Sequence, residues 1–282
     1  MTHNEIKQNH VTIPWSEQRA MRSRFNNHEY RIFVAKPNRE APPEGYPVIY
    51  LLDANSVFGT MADAIRLQAR RTEKTGVDPA IIVGIGYKTD EPFSPQRFYD
   101  FTRPAPISEL PQRPDGTPWP KQGGAEAFMS FIEAELKPAI ERDYQIDRSK
   151  QTIFGHSLGG LFVVHTLFAK PTAFQTYVAG SPSLHWYKRI LQEEEQQFIA
   201  RLEQEPKPLD VNVLIAVGEL EKAHKSGMNV NAHELSRRLS GLKHRGVKVE
   251  FEEFKNENHV SVLPVLISRA VRFATRSTVP TI

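Results

Sequence analysis

Ser157 stands in Gly155-His156-Ser157-Leu158-Gly159, a G-x-S-x-G string followed at once by Gly160. A serine hydroxyl is a weak nucleophile until a neighbouring base takes its proton. The string therefore points to acyl transfer only if its surroundings fit. Thr152-Ile153-Phe154 reads as a strand before it, and Leu161-Phe162-Val163-Val164 as a helix after it. Strand, sharp turn and helix are what a nucleophile elbow requires. In so tight a turn a side chain on either flanking position, 155 or 159, is expected to collide, hence the glycines. The backbone N–H of Leu158 then opens a helix, where the positive end of the helix dipole favours an oxyanion.

On such an elbow the partners follow in the order serine, acid, histidine. Of the ten histidines, His259 lies in the loop after a strand ending at Phe254 and just before a closing helix, where the base is expected. His165 falls on the elbow helix and reads as packing. His185 and His224 fall in loops, and His233 and His244 on a polar helix. The acid should follow the strand Val213–Val217, where Gly218-Glu219-Leu220-Glu221 offers two carboxylates. The G-x-x-E turn favours Glu221 over Glu219, and a Ser–His dyad with neither stays open. The carboxylate would fix the imidazole tautomer and stabilise the imidazolium. A second oxyanion donor should come from the loop after Leu51-Leu52-Asp53, and the backbone N–H of Asn55 is the choice. Asp53 or Asn55 could equally be the N-cap of a helix.

The elements that must position these groups alternate between strand and helix. Strands are expected at 28–35, 47–52, 80–85, 152–154, 177–180, 212–217 and 247–254. Helices are expected at 58–75, 125–144, 158–168, 233–244 and 260–275. This pattern predicts an α/β-hydrolase fold, a mostly parallel central sheet with helices on both faces, in one domain over residues 1–282. From about Asp90 to Gly124 the chain is rich in Pro, Arg and aromatics and shows no periodicity. A loop this long inside a compact domain is usually functional, so 90–124 is expected to act as a cap, with the charged segment 188–208 a candidate addition.

Composition narrows the classes. The 282 residues are 39% hydrophobic and 24% charged, which fits a globular chain. There is no cysteine, so disulfides, thiolate nucleophiles and Cys-based metal sites are excluded. No H-E-x-x-H spacing occurs, and neither a metal nor a cofactor is expected. A net charge of +3, from 36 Lys and Arg against 33 Asp and Glu, gives no reason to expect nucleic acid. No run approaches the ~18 apolar residues of a membrane span. The polar stretch 1–15 lacks the apolar core of a signal peptide. The expectation is a cytoplasmic enzyme acting on a small-molecule ester.

Across nearly the whole chain from about Val11, the sequence resembles the esterase D and enterochelin esterase superfamily. The likeness is carried by Tyr50-Leu51-Leu52-Asp53, the run Phe128–Tyr144, Gly155–Gly160, Ser181-Pro182-Ser183 followed by Trp186, and His259. Gly123-Gly124-Ala125-Glu126 before the long helix resembles the trilactone siderophore esterases, those acting on ferri-bacillibactin, salmochelin and enterobactin. The resemblance implies hydrolysis of the macrolactone of a ferric tris-catecholate. It also implies Ser157, His259 and Glu221 as triad, with Leu158 and Asn55 as oxyanion donors. Ala54 stands where relatives commonly have glycine. Thioesterases of the S-formylglutathione type continue the elbow differently, and feruloyl, acetyl-sugar and mycolyl-transferring relatives are mostly exported. A non-catalytic binding protein is the remaining alternative. A compact aromatic trianion calls for cations and aromatic faces, and Arg97, Lys121 and Trp186 are the expected substrate contacts. Arg103 could instead pair with Asp100.

Overall fold

A computed structural model describes residues 11–276, apart from 112 and 114. Eight strands form one sheet: β1 (Ser16–Arg22), β2 (Glu29–Ala35), β3 (Tyr46–Leu52), β4 (Ile81–Tyr87), β5 (Ile146–His156), β6 (Thr176–Gly180), β7 (Val211–Gly218) and β8 (Val247–Phe254). Their order is β1-β2-β4-β3-β5-β6-β7-β8. The β1–β2 and β2–β4 pairs are antiparallel. Every pair from β4–β3 to β7–β8 is parallel. Parallel strands need crossovers, which here are helices: α1 (Ala54–Gln68), α2 (Thr72–Thr75), α3 (Arg97–Asp100), α4 (Ala125–Phe131), α5 (Lys137–Asp143), α6 (Leu158–Ala169), α7 (Lys188–Gln204) and α8 (Met228–Ser240), with α9 (Val262–Ala274) following the last strand. A π-helical turn, Ile132–Leu136, joins α4 to α5.

Strand β3 shows why the layers form. Val48, Tyr50 and Leu52 enter one core with α4–α8, while Ile49 and Leu51 enter the other with α1 and α9. A strand buried on both faces has no polar side, so it reads as an unbroken apolar run. This is the expected α/β-hydrolase arrangement, with helices on both faces.

The departures from expectation have physical causes. Strand β1 was not foreseen. It is an edge strand whose residues, Ser-Glu-Gln-Arg-Ala-Met-Arg, are half-buried at best, so it carries no apolar alternation. Strand β5 begins six residues before the expected 152–154, because its first half is charged and largely exposed. Segment 188–208, a candidate addition to the cap, is mostly helix. Its residues 188–204 form α7, which packs against α6 and buries Leu191, Glu195, Phe198 and Leu202 at helical spacing. Glu195 is neutralised there by Arg238 of α8 at 2.6 Å.

Candidate active site

At the C-terminal edge of the sheet β5 turns into α6 through Ser157, whose φ of 60° and ψ of −119° lie outside the regions most L-residues occupy. The strain is held by main chain. The Ser157 N–H donates to the Gly180 carbonyl at the end of β6 (2.9 Å), and its own carbonyl accepts from the Ser183 N–H (3.1 Å). A Cβ at 155 would lie 2.2 Å from the Gly159 carbonyl oxygen, and one at 160 would lie 2.7 Å from that of Gly180. At 159 the nearest contact is an ordinary 3.4 Å. The elbow therefore needs glycine at 155 and 160, not at 155 and 159.

The acid and base arrive on the next strand ends. Ser157 Oγ lies 3.1 Å from His259 Nε2. His259 Nδ1 lies 2.7 Å from Glu221 Oε2. The other carboxylate oxygen, Glu221 Oε1, accepts from Ser181 Oγ (2.6 Å) and from the Gly218 N–H (2.7 Å). Burial opposes ionisation of Glu221, but the bonds from His259, Ser181 and Gly218 outweigh it and hold its carboxyl below the usual range. Glu219 does not reach the imidazole. Its carboxylate accepts from the Asn256 N–H at 2.9 Å and so pins the loop that carries the base. The Leu220 N–H bonds the Glu257 carbonyl in the same loop. Asn258 Oδ1 accepts from the N–H groups of Val260 and Ser261, fixing the turn around His259. Beneath the base lies His156, buried, its ring centroid 4.6 Å from that of His259. Burial, reinforced by His259, pushes His156 down to about 3, so it is neutral at physiological pH.

Two backbone N–H groups flank the elbow. Leu158 is the first residue of α6 and Asn55 the second of α1, and the opening amides of a helix have no intrahelical acceptor. Asn55 is held by its side chain, which accepts from the Tyr87 N–H (2.7 Å) and donates to the Tyr87 (3.0 Å) and Thr89 (2.7 Å) carbonyls. Asp53 occupies the N-cap position in the left-handed region, φ 51°, yet its side chain makes no cap bond. Its carboxylate instead receives both arms of Arg97, Nε and Nη2, at 2.9 Å each.

Arg97, expected as a substrate contact, lines the pocket over Ser157 and His259, while its buried guanidinium is held by Asp53 through Nε and Nη2. Arg103 does not pair with Asp100. It pairs with Glu126 and Glu194, while Asp100 lies against Tyr30 and His28.

A chamber of about 260 Å³ opens over Ser157 and His259. Phe98, Trp119 and Trp186 form its aromatic wall, the two indoles edge-to-face at 4.5 Å. Arg97, Leu158, Ser183, His185, His224 and Met228 complete it. Ser183 Oγ lies 3.4 Å from Ser157 Oγ. Burial, then the neighbouring His224 and His259, hold His185 below its ordinary range. A larger groove of about 810 Å³ shares Trp119 with the chamber. Tyr187, Arg113 and Lys121 also line it, so Lys121 faces this groove and not the chamber. Trp186 Nε1 and the Tyr187 hydroxyl both donate to Gln122, which stiffens the boundary between the two spaces. Sequence reading pointed to Phe98 and Trp119 among the aromatics of the 90–124 segment, and did not assign Ser183, His185, His224 or Met228 to the pocket. Of these, only Ser183 had a signal, in the Ser-Pro-Ser run. Among the described residues no cluster of three or more His, Cys, Asp or Glu could hold a metal ion, and no helix is long and apolar enough to cross a membrane.

Comparison with known proteins places the site in a family setting. A family model described as a putative esterase matches residues 23–262. The ferri-bacillibactin esterase BesA of Bacillus subtilis is 60% identical over 266 residues, covering 94% of this chain and 91% of the relative. The siderophore enterobactin esterase of Emericella nidulans is 33% identical over 274 residues, covering 86% and 88%. The crystal structure of the BES protein from Bacillus cereus superposes with a TM-score of 0.88 at 46% identity, covering 96% of this chain and 99% of that one.

Proposed function

We propose that this chain, which belongs to the esterase family, hydrolyses the lactone bonds of a ferric tris-catecholate siderophore by way of an acyl-enzyme on Ser157. The observation that carries the reading is the relay from Ser157 Oγ through His259 to the buried Glu221, at 3.1 and 2.7 Å. The substrate class is supported by the 60% identity to a protein named for ferri-bacillibactin, and by the aromatic chamber beside a cationic groove.

In this mechanism Ser157 Oγ attacks the lactone carbonyl while His259 Nε2 takes its proton. The tetrahedral oxyanion sits between the N–H groups of Leu158 and Asn55. As it collapses, His259 returns the proton to the departing alkoxide, which remains tethered because the ring has merely opened. A water molecule then repeats the sequence, releasing a carboxylic acid and free Ser157. Glu221, ionised and held by Ser181 and Gly218, keeps the Nδ1–H of His259 aimed at itself and stabilises the imidazolium.

Ligand pockets run from roughly 300 to 1,000 Å³. The chamber of about 260 Å³ suits one catecholate arm, with Trp186 on its wall. The groove lined by Lys121 takes the remaining, iron-bearing part, under the cap formed by residues 90–124. Iron arriving as an intact complex is freed in the cytoplasm on this reading, which cell fractionation checks. Incubation with ferric and iron-free trilactones, with products resolved by chromatography, tests the substrate. Linear products that form only with intact Ser157 support the reading. Turnover of simple esters with none of either trilactone refutes it.

A further inference from the structure

We infer that the buried Arg97–Asp53 pair is a positioning strut that holds the two halves of the oxyanion hole at their working separation. The inference rests on the serine-esterase reading and goes beyond it, since neither residue belongs to the triad or supplies an oxyanion donor.

The two donors come from different loops. Asn55 belongs to the β3–α1 turn and Leu158 to the β5–α6 turn. No main-chain hydrogen bond joins these two turns among the described residues. Arg97, on the one-turn helix α3, reaches across both. Its Nε and Nη2 grip the carboxylate of Asp53, two residues before Asn55. The same Nη2 donates to the His156 carbonyl, two residues before Leu158, at 3.4 Å. Asp53 Oδ2 also lies 3.4 Å from where a Gly159 Cβ would be, against the first turn of α6. The guanidinium is itself fixed, between the rings of Phe93 (5.3 Å) and Phe101 (5.5 Å). At the far end of α3, Asp100 is tied to Tyr30 at 3.1 Å and to His28 at 3.3 Å.

The backbone explains why a strut is needed. Asp53 is held at φ 51°, a conformation that costs an L-residue free energy and persists only when its surroundings enforce it. A bidentate Arg–carboxylate pair fixes direction as well as distance. Were the pair removed, the Asp53 kink could relax and carry the Asn55 N–H away from the elbow. Ser157 and Glu221 are pinned by main-chain bonds of their own and His259 by the bonds of its neighbours to Asn258, so all three would stay in register.

The test is kinetic. Arg97→Gln and Asp53→Asn remove the ionic grip with little change of size, and Arg97→Lys keeps the charge but loses the fork. Each is assayed on a small neutral ester and on its thiono analogue, in which sulfur replaces the carbonyl oxygen and cannot use the oxyanion donors well. Losing one such donor outright costs roughly 10²–10³ in kcat. The strut predicts a loss of about 10- to 100-fold in kcat for the oxo ester, KM within about twofold, and an unchanged pH profile. The oxo-to-thiono rate ratio falls, with Arg97→Lys in between. Unaltered kcat in folded variants overturns the proposal, as does a loss of kcat at constant ratio. If all three variants fail to fold, the pair is merely structural and the proposal falls. Labelling of wild-type Ser157 by a fluorophosphonate separates these outcomes from failure of the hydrolase reading itself.

Discussion

The floor of the site and its roof are built by different forces. The floor, from the elbow through Glu221 to His259, is held by main chain bonded to main chain and by side chains bonded to main chain, such as Glu219 to Asn256. Ser157 bonds Gly180, Leu220 bonds Glu257, and Ser181 N–H bonds the Ala216 carbonyl at 2.7 Å. The roof, within 90–124, has little regular structure. Aromatic contacts among Phe98, Trp119 and Trp186 hold it, along with hydrogen bonds to the Gln122 side chain. Backbone bonds in a sheet cannot be retuned singly, whereas side chains on an irregular loop can be. On the proposed reading the floor fixes the chemistry and the roof the choice of ester, with Arg97 reaching from the roof to the floor at Asp53 and the His156 carbonyl.

The sharpest way to break this division is at the nucleophile. Ser157→Ala should lower kcat by roughly 10⁴–10⁶ on every ester, with folding intact and fluorophosphonate labelling lost. Retention of more than about 1% of the activity would remove Ser157 from the role. Glu221→Gln should cost roughly 10³–10⁴ in kcat, again on large and small esters alike, because the amide favours the wrong tautomer of His259. Glu219→Gln, which loosens only the Asn256 contact, should cost under about tenfold. Equal losses from the two glutamates would erase the distinction between them.

Roof changes should discriminate between substrates. Lys121→Glu is expected to raise KM for a ferric trilactone by about 10-fold, the lower end for a charged hydrogen bond since the lysine is exposed. It should change a small neutral ester less than twofold, and added salt should shrink the difference. Identical effects on both esters would mean that the groove does not select substrate.

The last effect is on stability and concerns pH. His156 is held down to about 3 when folded and returns to its ordinary value of 6.5 when unfolded. Between those values the unfolded chain binds a proton that the folded chain does not. Stability therefore falls as pH drops from about 6.5 towards about 3, by at most about 1.4 kcal/mol per unit from this group. Above 6.5 the group contributes no slope. His156→Gln should flatten the acid limb of a denaturant-midpoint profile, and an unflattened limb would show that His156 already titrates near 6.5 in the fold.

The same division explains what was legible in the sequence. Ser157 and Glu221 were readable because each sits just past the buried apolar end of a strand, and His259 because chain order places the base after the last strand, β8. The charge of Arg97 was visible, but its purpose was not, because Asp53 is 44 positions away and nothing periodic links them. Edge strand β1 was hidden by its polar composition. His185 and His224 were read only as loop histidines and Met228 was not singled out, since the three meet only through the topology of β6, β7 and α8.

The account stands most directly on one measurement, the mass of the protein acid-quenched during turnover of a ferric trilactone. Opening a ring releases no fragment, so the acyl-enzyme should weigh the protein plus the whole iron-free siderophore, with the adduct mapped to Ser157. An unmodified protein and an intact trilactone, from a preparation that still cleaves simple esters, would contradict it.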